Sequence, residues 1–184
     1  MCVALRALDA VVQVQSPRGS REIAFADFHR LPESSPDIDT ALADDELITH
    51  IALPTAANFA AHSGYIKLRD RASYAFALVS VAAMLDIAGD GRVTAARIAI
   101  GGVAHKPWRD MKAEALLVGR PAEPGSFKQA ADRLLQGARS YGAGPGSNAF
   151  KIVMEHRAVV RALETALQGT VTNTHDSATS EYRP

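Results

Sequence analysis

The sequence predicts an α+β fold: antiparallel strands first, then an antiparallel β-sheet packed with three helices. Three observations carry this. Residues 11–15 and 21–25 alternate or cluster apolar side chains about a Ser16-Pro17-Arg18-Gly19-Ser20 turn. A longer pair of apolar stretches, 77–87 and 93–103, flanks Gly89-Asp90-Gly91, a second hairpin signature. After residue 110 the apolar spacing changes from two to three and four, which is helical.

Taken in order, residues 3–8 form a short helical piece with Val3, Leu5 and Leu8 apolar, and the first hairpin follows. Residues 27–31 allow one helical turn, and the Ser- and Pro-rich segment 32–36 is a loop. Residues 46–54 alternate and stop at Pro54, as a strand does. Residues 55–64 read as a linker between two modules, 1–56 and 64–168. Asp110 caps a helix over 110–118, with Gly119 just beyond it and Pro121 following. Ser126 and Gln129 have capping-box spacing and open a helix through residue 138. The clearest helix spans 149–167, with Val153, His156, Val160, Leu163 and Leu167 on one stripe. The last segment, 169–184, is rich in Ser, Thr and Asn and reads as a disordered tail.

A chain of 184 residues suits one large domain, or one domain and part of another. Twenty basic and twenty acidic residues cancel, and no block of five like charges occurs. Electrostatics therefore gives no case for nucleic acid or a membrane as partner. Cys2 is the only cysteine, which excludes an internal disulfide framework and a cysteine-ligated metal site. The longest apolar run, 75–83, is far too short to span a bilayer, and the first residues lack the pattern of a signal peptide. A cytoplasmic location is the expectation.

Few residues suggest chemistry by themselves. Gly101-Gly102 follows a strand without opening a helix, so a bulge or close packing explains the pair better than a phosphate loop. The segment 142–146, Gly-Ala-Gly-Pro-Gly, lacks the Lys-Ser/Thr ending of a P-loop and reads as a connector. His29, His50, His62, His105, His156 and His175 show no metal-ligand spacing. Ile48 alone is a strand residue, and Lys67 sits in a run, Lys67-Leu68-Arg69-Asp70-Arg71, that reads as a solvated charged face.

Several ordered phrases nevertheless point to a family. They are Lys67-Leu68-Arg69-Asp70-Arg71-Ala72-Ser73-Tyr74-Ala75 and Gly101-Gly102-Val103-Ala104-His105-Lys106-Pro107-Trp108-Arg109, with Asp45-Glu46-Leu47-Ile48 before them and Asn148-Ala149-Phe150-Lys151-Ile152 after. Together they resemble the FAD-binding (medium) subunit of the molybdenum hydroxylases, the family of xanthine dehydrogenase, carbon monoxide dehydrogenase and aldehyde oxidoreductase. The aldehyde oxidoreductase branch is the most similar.

The resemblance implies that residues 1–56 are the end of the second FAD-binding subdomain and that 64–168 are the family's C-terminal domain. It implies an electron relay: molybdopterin on a large subunit, iron–sulfur clusters on a small subunit, then FAD and an acceptor. Ile48 and Lys67 are the two FAD-directed positions it carries over, Ile48 lining the cleft and Lys67 placing a cation near the isoalloxazine. No extra iron–sulfur cluster fits a chain whose one cysteine is Cys2. The family's two glycine-rich phosphate loops precede the phrases found here, so the expectation is an N-terminally truncated subunit with an incomplete FAD site. The alternative is a non-catalytic fragment that acts as a subunit-interaction module without bound FAD. Co-export with a partner subunit would place the chain in the periplasm instead.

Overall fold

The computed structural model describes residues 1–170. Two antiparallel three-stranded sheets form the frame. The first has the order β2-β1-β3, with β1 at Val11–Ser16, β2 at Gly19–Ala24 and β3 at Leu47–Ala52. The second has the order β4-β5-β6, with β4 at Ser63–Leu68, β5 at Val79–Ile87 and β6 at Val93–Gly101. Helices α1 (Cys2–Ala7), α2 (Phe25–Phe28), α3 (Met111–Ala115), α4 (Pro124–Leu134) and α5 (Phe150–Leu167) complete it. The α+β architecture is thus as the sequence predicts. No helix among the described residues is long and apolar enough to cross a membrane.

The first hairpin is tighter than its turn sequence suggests. Ser16 pairs with Gly19, leaving Pro17 and Arg18 at the tip, and Gly19 takes φ +127°, open to glycine. Val12, Val14, Ile23, Phe25 and Phe28 close a small core beneath this sheet. On the other side of β1, the pairing with β3 slips by one residue between Gln13 and Val14. Thr49 is the extra residue, and its hydroxyl donates to the Gln13 carbonyl (3.2 Å). This bulge moves Ile48 opposite Val14, so that Ile48 and Ile51 share one face with Val14 and Val12.

The second sheet is covered on both faces, which explains why β5 is apolar without alternation. Val79, Val81, Ala83 and Leu85 point toward α3, α4 and α5, and Phe127 and Leu163 are wholly buried among them. Ala82 and Met84 point the other way, against Val3 and Ala7 of α1 and against Phe59. The residues on this second face are small because a helix lies close. A Cβ on Gly101 would come within 2.5 Å of Val3 Cγ2 and 2.9 Å of Ser80 Oγ. Gly102, at φ +88°, would put one 2.5 Å from the Leu78 carbonyl oxygen. Close packing is therefore what the Gly101-Gly102 pair serves.

Four local expectations are revised. The segment read as a linker, 55–64, holds a 3₁₀ turn at Ala57–Phe59 and the start of β4, a third strand where a two-stranded hairpin was foreseen. Polar and charged residues in β4 hide it, because only Ile66 of this edge strand packs into the helical core. Helix α4 begins at Pro124 in its first turn, and Ser126 is buried inside it rather than capping it. On α5 the buried face is Ala158, Val159, Ala162, Leu163 and Ala166, while Val153 is exposed. Three alanines four apart let the helix backbone approach β4, where a Cβ on Gly64 would stand 3.7 Å from Ala162 O. Of the expected tail, Thr170 is tied down by its N–H to Ala61 O (2.8 Å) and by its hydroxyl to Ala60 O (2.7 Å). The rest of that expectation, 171–184, lies outside the described residues.

Candidate functional site

Ile48 and Lys67 stand on edge strands of different sheets. Ile48 is held in place from both sides. The Thr49 bulge aims it, and Glu46 anchors the entry to β3. Glu46 accepts two bonds from the Arg21 guanidinium (2.5 and 2.7 Å) and one from the Ala43 N–H (2.8 Å). Those bonds favour the carboxylate and hold its pKa at about 2. Ile48 itself is 43% exposed, beside Leu47, Ile51 and Leu53, which are also open. A strand and its exit that leave four apolar side chains uncovered present a contact surface.

Lys67 lies on β4 opposite Ser80, on the sheet face that α1 and Phe59 also occupy. Its ammonium makes no hydrogen bond or ion pair among the described residues, so it is a free cation on an exposed strand. Beyond it the chain forms a closed loop. The Leu78 N–H donates to Leu68 O (2.9 Å), and the Arg71 guanidinium donates to Tyr74 O (Nε, 3.0 Å). Tyr74, at φ +48°, and Phe76 project from that loop with 95% and 97% of their surface exposed. Sequence reasoning did not single these two aromatics out. The signal is their exposure, which only the fold reveals.

Arg109, the last residue of the second phrase, has another role. Its side chain is 1% exposed and binds Glu114 with two bonds (2.6 and 3.0 Å), Asp9 Oδ1 (2.6 Å) and the Arg6 carbonyl (3.1 Å). Arg97 reaches the same helix end, donating to Ala7 O (3.3 Å) and lying 4.9 Å over the Phe59 ring. These cations meet the carbonyl end of α1, where the backbone dipole favours them. The phrase thus fastens α1 to the second sheet.

A nucleotide cofactor needs both a ring surface and a phosphate cradle. Ile48 offers exposed apolar surface on one sheet and Lys67 a cation on the other. The glycine positions do not supply the cradle: Gly101 and Gly102 are filled by Val3, Ser80 and Leu78, and the 142–146 segment folds on itself, with Gly142 against Gly146 O. Among the described residues no glycine-rich turn opens a helix of useful length toward solvent.

Residues 64–166 match the CO dehydrogenase flavoprotein C-terminal domain, and residues 1–56 match the FAD binding domain in molybdopterin dehydrogenase. The aldehyde oxidoreductase FAD-binding subunit PaoB of Escherichia coli is 52% identical over 118 residues, 64% of this chain and 35% of that protein. The nicotine 6-hydroxylase medium subunit of Paenarthrobacter nicotinovorans is 36% identical over 65% of this chain and 39% of its own length. The crystal structure of quinoline 2-oxidoreductase from Pseudomonas putida 86 superposes with a TM-score of 0.78 at 26% identity, over 91% of this chain and 55% of that one. The chain therefore spans between about a third and just over half of the lengths of these relatives. It belongs to the family of FAD-binding medium subunits of the molybdenum hydroxylases.

Proposed function

We propose that this chain is the C-terminal part of the FAD-binding subunit of a molybdopterin-dependent oxidoreductase. It would work beside a molybdopterin-binding large subunit and an iron–sulfur small subunit, passing electrons from the clusters through FAD to an acceptor. In this reading residues 1–56 complete the FAD-binding part and 64–168 form the C-terminal domain. FAD supplies the redox chemistry when bound, and the chain's own residues supply its surroundings. Ile48 offers an apolar wall, and the unpaired Lys67 ammonium stabilises negative charge that builds on the ring. The observation that supports this best is the Thr49 bulge, which turns Ile48 onto the apolar face, together with a lysine that has no carboxylate partner among the described residues.

Co-expression with large and small subunits of a PaoB-type enzyme tests the assembly. A stable complex is expected, and failure to associate with either subunit contradicts the proposal. In an assembled enzyme, Lys67→Glu should move the flavin potential more negative, by about 30 mV or more for the two-electron couple. A second reading is a subunit-interaction module without bound FAD. The lack of a phosphate cradle among the described residues favours it, and co-assembly of a colourless chain would support it.

A further inference from the structure

A groove opens on the helical side of the second sheet, away from the face that bears Lys67. Its volume is about 350 Å³, within the range of small-molecule sites. Leu135 forms the floor above the buried Ile100 and Leu134, Trp108 and Tyr141 form the walls, and Arg139 the rim. A smaller pocket of about 110 Å³ shares Leu135 and Arg139 and adds Lys151 and Asn148.

Both aromatic walls are fixed through the backbone. Trp108 exchanges two bonds with Ile100, N–H to O at 2.9 Å and O to N–H at 2.8 Å. Tyr141 donates its N–H to Asn148 Oδ1 (2.6 Å) and accepts from the Asn148 N–H (3.0 Å), which closes the loop that carries it. The rings remain partly or largely open to solvent, and so does Val103 beside them. The groove is therefore apolar, walled by two aromatics on held backbone, and open among the described residues.

Its charge is one-sided. Arg139 makes no hydrogen bond or ion pair among the described residues, and Lys151 spends one donor on the Gly102 carbonyl (3.0 Å). No aspartate or glutamate lines either pocket. Two cations without a lining carboxylate, next to two aromatic faces, complement a flat ring that bears a negative group.

We propose that this groove is a binding site for a planar aromatic carboxylate of one or two rings. The ring packs between Trp108 and Tyr141 over Leu135, and the carboxylate takes a forked pair of bonds from Arg139. This site is separate from the flavin-directed residues and does not depend on the function proposed for them.

Trp108 is the only tryptophan, so its fluorescence reports occupancy directly. The experiment titrates the 184-residue chain with 2-naphthoate and, in parallel, with neutral 2-naphthamide. Saturable quenching by naphthoate is expected. It should weaken about tenfold or more in Arg139→Glu and in Tyr141→Ala, and for the amide in the wild-type chain. Both substitutions are at exposed positions, and the amide arm needs no variant at all. Absence of saturable quenching overturns the proposal. So does equal binding of the amide, or quenching that both substitutions leave unchanged. A Trp108 shift seen only when partner subunits assemble, and never with naphthoate, overturns it in favour of a protein interface.

Discussion

Arg109 and Glu114 form a forked ion pair, Nε to Oε1 at 2.6 Å and Nη2 to Oε2 at 3.0 Å, with both side chains almost wholly buried. Glu114 Oε1 also accepts from the Ile98 N–H of β6 (2.8 Å), and the third nitrogen of Arg109 serves Asp9 and the end of α1. One guanidinium thus joins a helix from each module to the central sheet. Arg109→Ala strands a buried carboxylate and leaves Asp9 and the α1 carbonyls without their donor. We expect a loss of about 3–5 kcal/mol, read from urea unfolding. Arg109→Lys should recover only part of it, because an ammonium keeps the charge and loses the fork. Full stability of Arg109→Ala would show that α1 is held by packing alone.

The same junction needs Gly101 to be small. Gly101→Ala places a methyl 2.5 Å from Val3 Cγ2, so α1 must move or β6 must bend. The expected cost is about 1–3 kcal/mol in thermal unfolding. Val3→Ala should be less harmful in the Gly101→Ala background than in the wild type, since it removes the clash. Additive effects in a double-mutant cycle would mean that the two residues do not meet.

Glu155 gives a dependence on pH. It is fully buried on α5, neither carboxyl oxygen has a partner among the described residues, and burial raises its pKa from 4.5 to about 8, only partly opposed by Lys151. The folded state therefore keeps a proton that the unfolded state has already released between those values. The stabilising contribution is complete below pH 4.5 and is lost as pH rises to about 8. By linkage the loss is on the order of 4 kcal/mol across that window. Glu155→Gln should flatten the profile measured by denaturation between pH 5 and 8. A wild-type stability that rises over this range would contradict the burial argument.

Much of this was legible in the chain. Alternation about Ser16-Pro17-Arg18-Gly19 and the Gly89-Asp90-Gly91 turn announced both hairpins, and Asp110 capped its helix as expected, accepting from the Lys112 N–H at 2.8 Å. What escaped has a physical reason in each case. An edge strand such as β4 buries little, so its sequence need not alternate cleanly. The α5 face is set by alanines that permit close approach, and a hydropathy stripe favours the larger Val153 and Val160 instead. A bulge leaves no trace in composition, so Thr49 and the aim of Ile48 appeared only in the register. Arg109 stood out only as the end of a family phrase, because pairing partners 100 residues apart cannot be read from spacing.

We propose that Ile48 and Lys67 belong to the ring side of a flavin site, and among the described residues no phosphate cradle accompanies them. Titration of the 184-residue polypeptide with FAD, followed by flavin fluorescence, tests it most directly. Each missing charge-assisted bond to the pyrophosphate weakens binding by roughly 1.5–3 kcal/mol, so several together cost about four orders of magnitude in affinity. A colourless protein and no saturation below about 100 μM FAD are expected. Stoichiometric binding at submicromolar FAD would contradict it.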